Sequence, residues 1–237
     1  MRTALVNGIA GLTLVAAITI VSVACSTPRD AQATASPPSP PSQPASAMPQ
    51  ASGATDSLAK LADASRIQGS PSAKLWVIEV SDFQCPYCKE WHDATYQMIV
   101  KDYVKTGKVR MAYVNFPLSI HAHAHEAAIA AMCAGAQDRF WPMHDSLFAT
   151  QAKWETESDP SATFASLAQS VGANMTAYKS CLASPGIAAL VAGDQERARG
   201  GGVNATPSFW IGSRLVEGAV PAAEMKADID QALAGAK

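Results

Sequence analysis

The chain carries little charge of either sign. Only 16% of its 237 residues are charged, and the formal net charge is −2. A nucleic-acid partner would call for a basic face, so this composition argues against one. Long apolar runs are also missing. The most apolar stretch, Ile9 to Val23, is shorter than the roughly 20 residues a bilayer-spanning helix needs. Cysteine is scarce: there are five, of which only Cys85 and Cys88 lie close together. A strong zinc signature would include a second close pair, whereas Cys133 and Cys181 stand isolated. An odd number leaves at least one cysteine outside any set of intramolecular pairs.

What is present begins with an export signature. Arg2 precedes the glycine-punctuated apolar run, which ends in Ala24-Cys25-Ser26. A basic start, a modest apolar core and small residues after it read as a signal segment over residues 1–25. "SVAC" resembles the lipobox of bacterial lipoproteins, which implies lipidation of Cys25 and an N-terminal membrane anchor. Ser22 stands where a leucine is usual, and Ser22 with Ala24 also suits cleavage and release before Cys25. Both routes place the domain outside the cytoplasm, where disulfides persist. Residues 26–57, with "ASPPSPPSQPASAMPQ", hold too few large apolar side chains to offset chain entropy. They read as a disordered, proline-extended tether.

Residues 58–237 read as the globular domain. Leu58 to Ile67 is either a short helix or a lead-in. "LWVIEV", Leu75 to Val80, is apolar and rich in β-branched residues, and predicts a buried strand. A helix follows from about Pro86 to Lys105, with proline at its first turn and Gly107 beyond its end. "VRMAYVNF", Val109 to Phe116, is a second strand, parallel to the first across the helix. An Ala-rich helical region spans about 120–200. "PSFWI" and "RLVEG" then form a hairpin around "GS", and Pro221 to Leu233 is a closing helix. Without the helical middle, the order is β-α-β then β-β-α. That is an α/β thioredoxin core, a mixed sheet flanked by helices, with an all-helical insertion.

In "FQCPYC", Cys85 and Cys88 are separated by Pro86 and Tyr87. The spacing alone fits a cycling thiol pair, a structural staple or half a metal site. "GSPSAKLWVIEVSDFQCPYCKEWH" and the later "GVNATPSFWIGSRLVEGAVP" resemble the DsbA-like thiol-disulfide oxidoreductases, from about Gly69 to the C-terminus. The resemblance implies a cis Pro207, preceded by Thr206, facing the cysteine pair. It implies donation of the Cys85–Cys88 disulfide to cysteines of exported or cell-envelope proteins, with no cofactor. It also implies reoxidation by a quinone-linked membrane partner of the DsbB or VKOR kind. Isomerase or reductase activity, or a binding or holdase module whose cysteines only staple, are the rival readings. The reduction potential separates a staple from an oxidant. Thr206 occurs in oxidases and isomerases alike. The proline-rich tract offers no dimerising domain, so a monomeric oxidase is expected.

The chemistry needs a thiolate, because the thiolate is the attacking species. Cys85 at a helix start meets free N–H groups and the positive end of the dipole, which favour its anion. This reading needs that sulfur to be ionised near neutral pH and open to solvent. Cys88, one turn on, is the less exposed, resolving thiol. Glu79 lies mid-strand in an apolar run, and two readings stay open: a buried proton carrier for Cys88, as the family has at this place, or an edge residue facing water. Asp82 suits a turn or helix cap. Phe83, Tyr87 and Trp210 are candidates for an apolar landing surface or for core. Cys133 and Cys181 pair in some relatives, which implies a structural disulfide; two buried free thiols are the alternative. His121 and His125 would share a helical face, as solvated or capping residues or as metal ligands. The aromatics of "RFWPMHDSLF" read as ordinary core packing.

Overall fold

The computed structural model of the chain describes residues 53–236. The signal segment, Cys25 and all but the end of the tether lie outside the described residues. Helix α1 (Gly53–Ser65) begins inside the stretch expected to be tether, before residue 58. Strand β1 (Ile67–Gln68) follows, a two-residue element too short for any periodicity to reveal.

Strand β2 (Leu75–Ser81) is the centre of the sheet. Its alternation turns Leu75, Val77, Glu79 and Ser81 to one buried face. A continuous helical run, α2 (residues 86–104), then crosses to β3 (Val109–Asn115). Gly107, at φ 75°, lets the chain turn out of α2 without the penalty a side chain would bring. β3 pairs parallel with β2, Leu75 opposite Val109 and Ser81 opposite Asn115, as a helical crossover requires. Within α2, residues His92–Tyr96 and Val100–Val104 are π turns, each a single widened turn.

Six helices follow: α3 (Ala124–Gly135), α4 (Phe140–Ala149), α5 (Gln151–Trp154), α6 (Ser161–Ser170), α7 (Met175–Leu182) and α8 (Pro185–Gly200). The chain returns as β4 (Ser208–Ile211), antiparallel to β2, and β5 (Arg214–Glu217), antiparallel to β4. Gly212 at φ 61° makes the two-residue turn between them, where positive φ is needed. Helix α9 (Ala222–Gly235) closes the domain. The sheet order is β1-β3-β2-β4-β5. One core packs α2 and α9 on the sheet through Val77, Trp91, Ile99, Phe209 and Met225. A larger one fills the helical region and reaches Phe83, Cys85, Cys88 and Tyr113.

Candidate active site

Cys85 is the N-cap of α2, with extended backbone at φ −70° and ψ 124°, and Pro86 occupies the first helical position. The turn that leads to it is held by Asp82. Its carbonyl accepts from Cys85 N at 3.1 Å, and its carboxylate accepts from Gln84 N at 2.7 Å and Leu118 N at 2.8 Å. His121 Nδ1 lies 2.7 Å from the same carboxylate, so this histidine fastens the loop after β3 to the cysteine turn. Gln151 on α5 donates to the carbonyls of Phe83 and Cys85, at 2.7 and 3.1 Å. The Thr206–Pro207 bond is cis, and the Cys85 sulfur is 3.5 Å from the Thr206 carbonyl oxygen.

Both thiols are free, and their environments drive them apart. A hydrogen bond from Cys88 lowers Cys85 to about 6, against the opposing effect of burial; Thr206 and the backbone N–H groups of Cys88 and Tyr87 add to the lowering. The two backbone N–H groups are those of the helix start that the sequence points to. Burial pushes Cys88 well above the thiol range, and the adjacent Cys85 anion reinforces it. Cys88 is fully buried, but Cys85 is also only 3% exposed. This corrects the expectation of a sulfur open to solvent: the sulfur rests against the Thr206 carbonyl.

Glu79 is completely buried, which removes the reading of a water-facing edge residue. In the sheet it stands between Tyr113 of β3 and Phe209 of β4. Burial raises its carboxyl to about 8, with Ser81 and His92 pulling weakly the other way. Ser81 Oγ closes no hydrogen bond, yet it is near enough to act on Glu79, Cys88 and Tyr113 alike. Of the three suggested surface aromatics, Phe83 is core, stacked on Tyr113 with ring centroids 5.0 Å apart. Trp210 is half-buried, and Tyr87 is 63% exposed beside the pair. Cys133 on α3 is bonded to Cys181 on α7.

The sequence reading missed a polar group inside the aromatic core. "FWPMHDSLF" is core, as Phe140 and Phe148 show, but its His144 is fully buried and faces Glu79. His92 lies one turn beyond Cys88 on α2 and meets Asp145 of α4. The usable signals were an adjacent His-Asp pair inside an aromatic helix and a histidine four residues after Cys88. His121 precedes α3 and binds Asp82, so the two histidines do not share a helical face; His125 is exposed. His92, His144 and Asp145 do gather, but both rings bond to one Asp145 oxygen, so their donors are engaged with one another.

A five-stranded mixed sheet, a helical insertion and a buried CxxC at a helix start beside a cis-proline define a dithiol protein of thioredoxin fold. The family model described as Thioredoxin matches residues 61–231, and the chain belongs to that family, within its DsbA-like thiol-disulfide oxidoreductases. Disulfide bond formation protein D of Bacillus subtilis is 25% identical over 71% of this chain and 77% of its own length. The crystal structure of oxidised BdbD from the same organism superposes with a TM-score of 0.65 at 26% identity, covering 72% of this chain and 93% of that one. A Na(+)/H(+) antiporter, NhaA 1 of Salinispora arenicola, is 29% identical over 74% of this chain, which spans only 26% of the antiporter's length.

Proposed function

We propose that the protein is an exported thiol-disulfide oxidoreductase that donates the Cys85–Cys88 disulfide to cysteines of secreted or cell-envelope proteins. The observation that carries this reading is the placing of the pair: Cys85 caps α2 with its sulfur 3.5 Å from the Thr206 carbonyl oxygen, next to Pro207, and Cys88 is fully buried one turn on, an arrangement that lowers the first thiol and raises the second. A low-pKa thiol is a good leaving group, and a stabilised thiolate makes the corresponding disulfide a better oxidant.

In this reading a substrate thiolate attacks Cys85, the Cys85–Cys88 bond breaks, and a second substrate thiol displaces Cys85. Because Cys85 is covered, the Thr206–Pro207 segment has to give way as substrate docks, and exposed Tyr87 offers the nearby apolar landing surface. Extended substrate backbone pairs beside Pro207 in the manner of strand addition. Cys133 and Cys181 serve as a staple. Lipidation at Cys25 holds a monomeric domain at the membrane, where a DsbB- or VKOR-like partner reoxidises it. Among the described residues no helix is long and apolar enough to cross a membrane.

The test is oxidation of a reduced model protein by the wild type and by Cys85→Ser, paired with alkylation of the reduced enzyme between pH 4 and 9. Oxidation should vanish in the variant, and Cys85 should alkylate with a midpoint near 6. A Cys85 that resists alkylation at pH 7, or efficient reshuffling of scrambled disulfides without net oxidation, would rule out this assignment.

A further inference from the structure

A row of polar side chains runs from beneath Cys88 to the surface, through an interior that is otherwise aromatic. Ser81 is near both Cys88 and Glu79. Both carboxyl oxygens of Glu79 lack hydrogen-bond partners. Across from them His144 Nε2, also unpartnered, lies 3.9 Å from Glu79 Oε2. The other ring nitrogen of His144, Nδ1, is 2.8 Å from Asp145 Oδ1. His92 Nε2 reaches the same oxygen at 3.3 Å, and the Asp145 side chain is 46% exposed. Rings of Tyr96, Trp141 and Phe148 surround His144 with centroids 5.0–5.1 Å away. Buried polar atoms normally find partners. Here two orphans face each other at a separation too long for a hydrogen bond and short enough to close when one gains or loses a proton.

We propose that His144 and Asp145 are the route by which Glu79 exchanges its proton with solvent while the Cys85–Cys88 bond opens and closes. The proposal rests on the disulfide-exchange reading above. When a substrate thiolate bonds to Cys85, the electron pair of the broken S–S bond leaves on Cys88. Glu79 protonates that sulfur by way of the Ser81 hydroxyl. The resulting carboxylate takes the Nε2 proton of His144, and Nδ1 receives one from solvent through Asp145. On reoxidation by the partner's disulfide the sequence runs backwards. His144 therefore alternates between two neutral tautomers, Nδ1–H when the pair is reduced and Nε2–H when it is oxidised. The reduced pair in this structure, with Nδ1 against the Asp145 carboxylate, has the geometry of the first.

The surrounding charges suit this traffic. Burial lowers His144 to about 4, so the ring stays neutral. Hydrogen bonds from His144 and His92 overcome burial and hold Asp145 at about 2, ionised. The same aspartate, with Asp93, raises His92 against its own burial. The other titratable groups facing the row are Tyr96 from α2 and Tyr113 from β3, both raised by burial and so uncharged.

The experiment is single-turnover reduction of the oxidised full chain by excess dithiothreitol across pH 6–9, with ¹⁵N NMR of His144 in both redox states. Positioned proton transfer contributes about 10²–10⁴-fold. Glu79→Gln should therefore slow reduction about a hundredfold, and Asp145→Asn and His144→Gln about tenfold or more. Adding His144→Gln to Glu79→Gln should slow it no further, and the protonated ring nitrogen should switch with redox state. If His144 keeps one tautomer in both states, or Asp145→Asn reacts at the wild-type rate while Glu79→Gln is slow, the route is wrong and disulfide exchange still stands. If Cys85→Ser still oxidises substrate, both fall. Should His144→Gln not fold, the half-exposed Asp145→Asn and the wild-type tautomers decide alone.

Discussion

Glu79 shows what a buried, raised carboxyl does to stability. Its carboxyl keeps its proton up to about 8, whereas an unfolded glutamate releases it near 4.3. Below the lower value both states are protonated and nothing is lost. Between the two the native state binds the extra proton, so stability declines as pH rises through that window and levels off above about 8. Glu79→Gln should remove this decline and gain roughly 4 kcal/mol at pH 8, with little change at pH 4. Urea melts from pH 4 to 9 measure it; parallel curves for wild type and variant would show that the carboxyl is not shifted as described. Cys85 has the opposite linkage. Its lowered thiol stabilises the reduced form fully above the ordinary value near 8.5, and that contribution is lost as pH falls through about 6.

At the scale of elements, legibility followed locality. β2 and β3 were readable because each is a dense apolar, β-branched run, and the start of α2 because proline suits a first helical turn. The π turns of α2 were not, because nothing in "HDATY" or "VKDYV" distinguishes a widened turn from an ordinary one. Yet the first of them begins at His92, whose partner Asp145 is 53 residues away. No spacing rule connects positions that only the packing of α4 on α2 brings together, so the cysteine pair was legible and its polar surroundings were not. The bond between α3 and α7 likewise joins distant residues, 48 apart in sequence. Closing a loop of that length restricts the unfolded chain, by about 2–4 kcal/mol of stabilisation. The double variant Cys133→Ala/Cys181→Ala should lose that much in denaturant melts. A midpoint unchanged from wild type would mean that the bond constrains nothing in the unfolded ensemble.

At the scale of the whole molecule, the helical region has to be held to the sheet so that α4 and α5 present His144 and Gln151 to the cysteine turn. Packing does most of this, but one buried ion pair fixes the junction. Arg66, between α1 and β1, donates to both carboxylate oxygens of Asp194 on α8, and Arg66 also reaches Asp63. Asp194 further accepts from the backbone N–H of Asn115 at 3.2 Å and its side-chain amide at 2.8 Å, at the end of β3. Arg66 and Asp194 are both buried, and the Asp194 hydrogen bond and charge overcome desolvation to raise the guanidinium further. Such a pair adds little over a well-packed apolar replacement, but removing one partner strands a charge. Asp194→Ala should therefore lose about 3–5 kcal/mol, whereas the apolar double variant Arg66→Met/Asp194→Leu should recover most of it. Equilibrium unfolding at pH 7 reads both, with Cys85 alkylation reporting whether the site survives. If the single variant loses under about 1 kcal/mol, the junction is held by packing alone and the pair is incidental. If the double variant is as unstable as the single one, it is Asp194's bonds to Asn115, rather than its charge, that tie α8 to the sheet.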